Sequence, residues 1–205
     1  MESIVQALEN VMAARDPYTV THQQGVAQLS LTIAREMGLE AKQTRNLMMA
    51  ARLHDFGKIS VPIAILSRPG KLSVFEMAMI KSHPTMGCDM LKPLALPTTT
   101  FMTIMQHHER INGSGYPFGL SGEDILLESR ILGVADVVEA MSSHRPYRPS
   151  LGIEMALKEI SQNRGILYDP WVVDAFLRLH STTMRGIFSF PRVSGHETAL
   201  ARRAA

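Results

Sequence analysis

Residues 107–120 read HHERINGSGYPFGL, in which two adjacent histidines and a glutamate stand directly before a glycine-rich turn that ends in Tyr-Pro. The apolar spacing of the preceding segment predicts a helix over about residues 98–109, and the glycines at positions 113 and 115 predict its end. Titratable rings are therefore gathered where a helix stops and the chain turns. This arrangement marks the stretch as a candidate functional site.

Helical periodicity extends through nearly every other segment. Apolar residues recur at spacings of three to four, and no long alternating run of β-branched residues occurs, so the sequence predicts an all-α fold. Three helix starts are predicted from local signals, at Asp16-Pro17, at the capping box Ser73–Glu76 and at Asp169-Pro170. Helices are predicted over residues 17–37, 41–54 and 129–143, whereas residues 58–71, which contain two prolines and a glycine, are predicted to form a loop.

The length and hydropathy fit one compact domain. The chain has 205 residues, of which 45% are hydrophobic, and we expect a domain over residues 1–180 with residues 181–205 as a tail or short terminal helix. No apolar run approaches the ~20 residues that a membrane span requires, and the N-terminus lacks a signal-peptide pattern. A cytoplasmic protein without a membrane contact is therefore expected.

Charge and cysteine content restrict the kind of ligand. A formal net charge of +2 is too mild to indicate a nucleic-acid polymer as partner, and it is compatible with a small anionic substrate. Cys88 is the only cysteine, which excludes an intrachain disulfide and a thiolate metal cluster and predicts a lone buried thiol. Any metal ion would have to be held by nitrogen and oxygen.

Five of the eight histidines lie beside apolar residues at helix ends or on predicted helices, namely His22, His54, His83, His107 and His108. Asp55 and Asp136 join them in apolar contexts, where an unpaired buried carboxylate is costly and a cation is an economical partner. Imidazole and carboxylate together suit iron, manganese, zinc or nickel rather than calcium. Seven candidate ligands exceed the need of one tetrahedral ion, so the spacing favours two ions about 3.5 to 4 Å apart and leaves one ion or none open.

Four motifs resemble those of the HD-GYP family, a branch of the HD-domain metal-dependent phosphohydrolases. They are HDFGK at residues 54–58, HP at 83–84, HHERINGSGYP at 107–117 and ILGVADVVEAMSSHRPYR at 131–148. The resemblance covers about residues 15–176 and implies an HD-domain helical bundle with a loop that contains the GYP motif. It implies metal ligation by His22, His54, Asp55, His83, His107, His108 and Asp136, with Asp55 as the bridging carboxylate.

The same resemblance implies an activity, the hydrolysis of cyclic di-GMP to linear pGpG and in some members onward to GMP. Two divalent ions, iron or manganese, would hold the hydroxide that attacks phosphorus, and Asp55 and Lys58 would be the catalytic residues. Lys58 resembles the lysine that meets the substrate phosphate. Tyr116, Arg145 and Arg148 match positions that contact the nucleotide.

One position departs from the family pattern. Some members place a glutamate four residues before the histidine that matches His22, where it helps to hold a third metal ion, and this chain has Tyr18 there. A protonated tyrosine is a poor ligand near neutral pH, so two ions are predicted rather than three, and ligation by His22 is the part of the set most open to question. Glu109 is predicted to orient an imidazole or to cap the turn, with a solvated helix-end carboxylate as the alternative.

Other functions remain open from the sequence. Another cyclic dinucleotide, such as the mixed guanine-adenine one, is an alternative substrate because no base-reading residue is identifiable. A second alternative is a metal-loaded module that senses cyclic dinucleotides or docks partner proteins with little turnover. The sequence also leaves open a regulatory domain or protein partner and a homodimer.

Overall fold

The computed structural model of the chain describes residues 2–144 and 150–184, and this part is helical without a β-strand, which confirms the predicted all-α class. Its α-helices are α1 Glu2–Arg15, α2 Pro17–Glu36, α3 Ala41–Leu53, α4 Ile63–Leu66, α5 Val74–Lys81, α6 His83–Leu91, α7 Thr98–Gln106, α8 Leu127–Ser142, α9 Ile153–Gln162 and α10 Pro170–Met184. Short 3₁₀ helices span Phe56–Ser60, Lys92–Leu94 and Gly122–Asp124.

Local capping signals in the sequence predict the helix starts well. Asp16 caps α2, since its Oδ1 accepts hydrogen bonds from the backbone nitrogens of Tyr18 at 3.1 Å and Thr19 at 3.4 Å. Ser73 caps α5 through the predicted capping box. These contacts satisfy backbone N–H groups that have no partner inside the first helical turn. The helix starts predicted at these two positions are confirmed.

The core lies around α8, whose residues from Ile131 to Ala135 are all buried. This helix packs against α2, α7, α9 and α10, while α3 packs against α1, α2 and α7. Fully buried side chains such as Ile33, Leu47 and Ile104 fill the space between these helices. A helix surrounded on nearly all sides needs apolar residues all round, which explains why residues 129–143 are so strongly apolar.

The loop predicted over residues 58–71 is wrong in its first half. The 3₁₀ helix Phe56–Ser60 is followed closely by Pro62 and α4. Pro62 is compatible with the start of α4, because a proline before the first helical turn removes no hydrogen bond of the helix. Arg15 of α1 fixes this segment by donating to the backbone oxygens of Ile59 and, at 2.6 Å, of Val61. Such long-range anchoring is invisible to local sequence patterns.

Two predicted boundaries also shift. Helix α7 ends at Gln106, with His107 as its cap, instead of continuing to residue 109, and α8 begins two residues earlier than predicted. Helices α1, α4, α6 and α9 were not delimited from the sequence. Within residues 2–144 and 150–184, no helix combines the length and the apolar character needed to cross a membrane.

Candidate metal centre

The predicted ligands come together where several helices meet. His54 and Asp55 follow the last turn of α3, His83 begins α6, and His107 and His108 follow α7. The remaining two are inside helices, His22 on α2 and Asp136 on the central α8. Each helix end thus directs its side chains into one interior region.

Three of the histidines are oriented in the same way by their own backbone. The Nδ1 atoms of His54, His83 and His107 lie 2.7, 2.7 and 2.6 Å from the carbonyl oxygens of the residues three positions earlier. Because a carbonyl oxygen only accepts, Nδ1 donates and Nε2 is left without a proton. Nε2 therefore carries the lone pair that can bind a metal ion.

Asp55 lies in the middle of the cluster. Its Oδ2 is 3.6 Å from Nε2 of His54 and 3.9 Å from Nε2 of His22, while its Oδ1 is 3.3 Å from Nε2 of His83. Asp136 lies on the His22 side, with Oδ1 3.0 Å from the Nε2 atom of His22. The two oxygens of Asp55 thus face different parts of the cluster.

The donor atoms fit a metal ion. Among the described residues, three groups have ligand atoms that all lie within 4.8 Å of one another, and together they contain all seven predicted ligands: His83, His107 and His108; His22, His54 and Asp136; and His54, Asp55 and His107. His54 Nε2 and Asp55 Oδ1 are buried and have no hydrogen-bond partner among the described residues. Buried polar atoms are nearly always paired, so two adjacent unpaired atoms in a nitrogen and oxygen cage are those that a transition metal would satisfy.

Burial and charge set the protonation of the cluster. Burial lowers the pKa of His54 and His107, lowers that of His83 to about 4 and lowers that of His108 to about 3. These four imidazoles are therefore neutral near pH 7, the form in which histidine binds metals.

The pKa values of the two carboxylates and of His22 are shifted toward the charged forms. Burial raises the pKa of Asp55 and Asp136, but Lys58 beside Asp55 and His22 beside Asp136 outweigh it and hold both pKa values well below the usual range. Burial also lowers the pKa of His22, but hydrogen bonds with Asp136 and Glu139 outweigh burial and raise it from 6.5 to about 9. His22 is therefore protonated near pH 7 when no metal ion is bound, and its charge lies between the carboxylates of Asp136 and Glu139.

Lys58 lies at the edge of the cluster, next to a small cavity. Its Nζ donates to Asp55 Oδ2 at 2.6 Å, and its side chain is 20% exposed. The cavity has a volume of about 40 Å³ and is lined by Asp16, Tyr18, Thr19, His22, Asp55, Lys58 and Leu66. Tyr18, which replaces the glutamate of some HD-GYP proteins, therefore borders this opening and is half exposed.

The GYP loop is held by Glu109. This residue is 5% exposed, and its carboxylate accepts hydrogen bonds from the backbone nitrogens of Phe118 at 2.7 Å and Leu120 at 3.0 Å. Glu109 therefore caps the turn, and the alternative of a solvated carboxylate is wrong. A Cβ atom on Gly115 would lie 2.4 Å from the Cα atom of Glu109, so only glycine permits this close approach.

The loop places Tyr116 beside the cluster. Its ring stacks on that of His108, with 4.7 Å between the centroids, and Lys81 Nζ lies 5.2 Å from the centre of the tyrosine ring. Arg145 and Arg148, which were predicted to contact the nucleotide, lie outside the described residues.

Close backbone packing brings His83 to its neighbours. A Cβ atom on Gly57 would lie 1.9 Å from the backbone oxygen of His83 and 2.5 Å from the backbone nitrogen of Gly87. The absence of a side chain at Gly57 therefore allows the turn after Asp55 to lie directly on α6. From the sequence, Gly57 was recognised only as part of the HDFGK motif.

Two further polar residues at the site were not assigned a role from sequence. Glu139 contacts the Nδ1 atom of His22 through its Oε2 atom. It lies three residues after Asp136, a spacing that places both on one helix face and that could have identified it. Lys81 lies two residues before His83, and only the three-dimensional structure connects it with Tyr116.

Comparison with known proteins identifies the family to which the sequence belongs. A family model described as HD domain matches residues 6–172. The cyclic di-GMP phosphodiesterase response regulator RpfG of Xanthomonas campestris is 40% identical over 176 residues, which cover 83% of this chain and 46% of the relative. The 3'3'-cGAMP-specific phosphodiesterase 3 of Vibrio cholerae is 36% identical, with 83% of this chain and 37% of the relative covered. The chain thus spans less than half the length of these relatives.

A solved structure supports the fold. The HDG"Y"P protein Bd1817 from Bdellovibrio bacteriovorus superposes with a TM-score of 0.66 at 22% identity, over 79% of this chain and 52% of the other. At this identity the likeness concerns the arrangement of helices. It agrees with the all-α fold of the described residues.

Proposed function

The chain belongs to the HD domain family, as its motifs predicted, and on that premise we propose that it is a metal-dependent phosphodiesterase that hydrolyses cyclic di-GMP to linear pGpG. The observation that carries the proposal is the position of Asp55. Its two carboxylate oxygens face different groups of imidazoles, and its Oδ1 atom is buried without a hydrogen-bond partner among the described residues. The names of similar phosphodiesterases supply the class of substrate.

Two metal positions account for the donor set. His22, His54 and Asp136 would hold one ion with Asp55 Oδ2, and His83, His107 and His108 would hold the other with Asp55 Oδ1. In this arrangement His22 is an ordinary ligand of the first position, and no third metal position with a ligand at Tyr18 is proposed. Iron and manganese are the proposed metals because the resemblance to HD-GYP proteins implies them, and both accept mixed imidazole and carboxylate ligands. Such ions would supply an activated water molecule and stabilise charge on the phosphoryl oxygens.

The chain's own residues would orient the substrate. Lys58 is partly exposed beside Asp55, so its ammonium group could contact a phosphate at the edge of the cluster and stabilise the negative charge that develops there. Tyr116 offers an aromatic face on the other histidine group, next to the cationic Lys81. Arg145 and Arg148 complete the proposed nucleotide contacts.

Product analysis tests the proposal. Protein prepared without oxygen and loaded with iron(II) or manganese(II) is incubated with excess cyclic di-GMP, and the products are separated by chromatography. We expect multiple turnovers to pGpG, and their loss in Asp55→Asn. Retention of one substrate molecule per chain without product, in protein that holds metal, would favour a binding module instead.

The mixed guanine-adenine dinucleotide is the second candidate substrate. The similarity to a 3'3'-cGAMP-specific phosphodiesterase favours it, at an identity only slightly lower than that to RpfG. The same assay with this dinucleotide measures the preference directly as a ratio of kcat/KM values. A higher kcat/KM for the mixed dinucleotide would make it the proposed substrate in place of cyclic di-GMP.

Lys58→Ala separates a substrate contact from a structural role. We expect slower turnover with unchanged metal content, because the lysine would act on the phosphate rather than on the metal ions. Loss of metal from this variant would show that Lys58 holds the cluster together. Metal analysis of the loaded wild-type protein measures the ratio at the same time, and a stable value near three ions per chain would overturn the proposed count of two.

A further inference from the structure

Within the described part of the chain, Glu139 is the only charged side chain that contacts the Nδ1 atom of a candidate histidine ligand. Its Oε2 atom contacts Nδ1 of His22, and its Oε1 atom accepts a hydrogen bond from Ser143 Oγ at 2.5 Å. The backbone nitrogen of Ser143 also donates to the backbone oxygen of Glu139 at 3.0 Å. The carboxylate is therefore held on both oxygens.

This arrangement differs from that of the other histidines. His54, His83 and His107 use backbone carbonyls as acceptors for Nδ1, and those acceptors belong to the same helical turn. His22 uses a carboxylate from another helix, 117 residues away in sequence. A charged acceptor binds the N–H group more strongly than a neutral carbonyl and makes the imidazole a better donor toward a metal ion.

The neighbouring helix leaves room for this carboxylate. Gly25 lies on α2 three residues after His22, and a Cβ atom there would lie 3.0 Å from Glu139 Cγ and 3.1 Å from Oε1. Any other residue at this position would press against the Glu139 side chain. Helices α2 and α8 are thus in contact where Glu139 reaches His22.

We infer that Glu139 is a positioning residue that, through His22, sets the affinity of the metal position formed by His22, His54 and Asp136. The inference rests on the proposed metal centre. Glu139 fixes the ring so that Nε2 points at Asp136, 3.0 Å away. The other metal position, formed by His83, His107 and His108, uses no side-chain carboxylate of this kind and is independent of Glu139.

Metal titration tests the inference without an activity measurement. Metal-free wild type and the variants Glu139→Ala and Glu139→Gln are dialysed against manganese(II) at a series of concentrations, and bound metal is measured directly. We expect Glu139→Ala to bind one ion about 10- to 100-fold more weakly and the other ion as the wild type does. Glu139→Gln restores part of the affinity, because its amide oxygen still accepts the hydrogen bond from Nδ1.

A matched control separates positioning from general stability. Glu9 is another buried carboxylate, but it pairs with Arg52 between α1 and α3, so Glu9→Gln should leave both manganese affinities unchanged. If both Glu139 variants bind two ions with wild-type affinity, the inference is overturned. If the wild type itself binds neither manganese(II) nor iron(II), the proposed function fails instead. Should Glu139→Ala fail to fold, the glutamine variant, which is nearly identical in size, decides the question.

Discussion

Two clusters of buried polar groups, the ion pair of Arg52 with Glu9 and the candidate metal centre, differ in whether their polar atoms are paired. Between α1 and α3, Arg52 and Glu9 form a two-pronged ion pair, with Nε to Oε1 and Nη2 to Oε2 both at 2.7 Å. In the candidate metal centre, His54 Nε2 and Asp55 Oδ1 are buried without hydrogen-bond partners in the described chain. The first cluster is complete, whereas the second has donor atoms available for a ligand.

The difference follows from what each cluster is built on. Glu9 extends from the middle of α1 and Arg52 from the last turn of α3, and both side chains are long enough for their charged groups to meet in planar geometry. The histidines of the centre are short, and three of them are fixed by carbonyls of their own helix ends. The rigid rings cannot relax toward one another, so their Nε2 atoms stay directed inward. We therefore expect the ion pair to support folding and the centre to support binding.

The largest expected effect tests the binding cluster. Asp55→Asn removes the charge shared by both metal groups, and we expect manganese affinity to fall at both positions, on the order of 100-fold or more. Direct measurement of bound metal after dialysis checks this. The matched change Asp89→Asn affects an exposed carboxylate on α6 and should alter neither position. Loss of only one ion in Asp55→Asn would show that Asp55 does not join the two groups.

The next largest effect concerns the ion pair of Glu9 with Arg52. Glu9→Ala leaves the charge of Arg52 without its buried partner, and breaking such a pair costs about 3 kcal/mol of unfolding free energy. Urea unfolding followed by circular dichroism measures the loss. Metal content should remain that of the wild type, because Glu9 contacts none of the candidate ligands among the described residues. A variant that unfolds like the wild type would contradict the role assigned to this ion pair.

A slightly smaller effect comes from the metal itself. An ion that binds only the folded chain, at 100 times its dissociation constant, stabilises the protein by about 2.7 kcal/mol. Manganese should therefore raise the melting temperature of metal-free wild type, and a chelator should reverse the rise. Glu9→Ala should gain a similar increment from its lower starting point. An increment that disappears in Glu9→Ala would mean that the two clusters are coupled.

The sequence predicts the binding cluster better than the geometry around it. Each motif that contributes ligands is a short run of consecutive residues in the sequence. Helix starts such as that at Asp16-Pro17 likewise depend on contacts within one turn. All seven predicted ligands occur in groups of described residues that could hold a metal ion. Metal ligation and the roles of Lys58 and Tyr116 remain proposals.

The features that sequence missed depend on contacts between distant segments. Glu139 meets His22 across two helices. Its spacing of three residues from Asp136 places it on the same face of α8, but that spacing does not give its partner on α2. The close approach of Gly57 to α6 and the anchoring of the segment after it by Arg15 are also long-range. Periodicity and capping rules describe one helix at a time, so they cannot detect such contacts.

The smallest expected effect tests whether burial, and not the distance between the charges, determines how much an ion pair contributes to stability. Lys92 and Asp89 form an ion pair at 2.6 Å, as short as the contacts of Arg52 with Glu9, but their side chains are 72% and 61% exposed. Solvent screens such a pair, and fixing two long side chains offsets what attraction remains. Lys92→Ala should therefore unfold at the same urea concentration as the wild type. A clear loss of stability would mean that the distance between charges alone determines their contribution, and the contrast between a stabilising buried pair and an exposed one would fail.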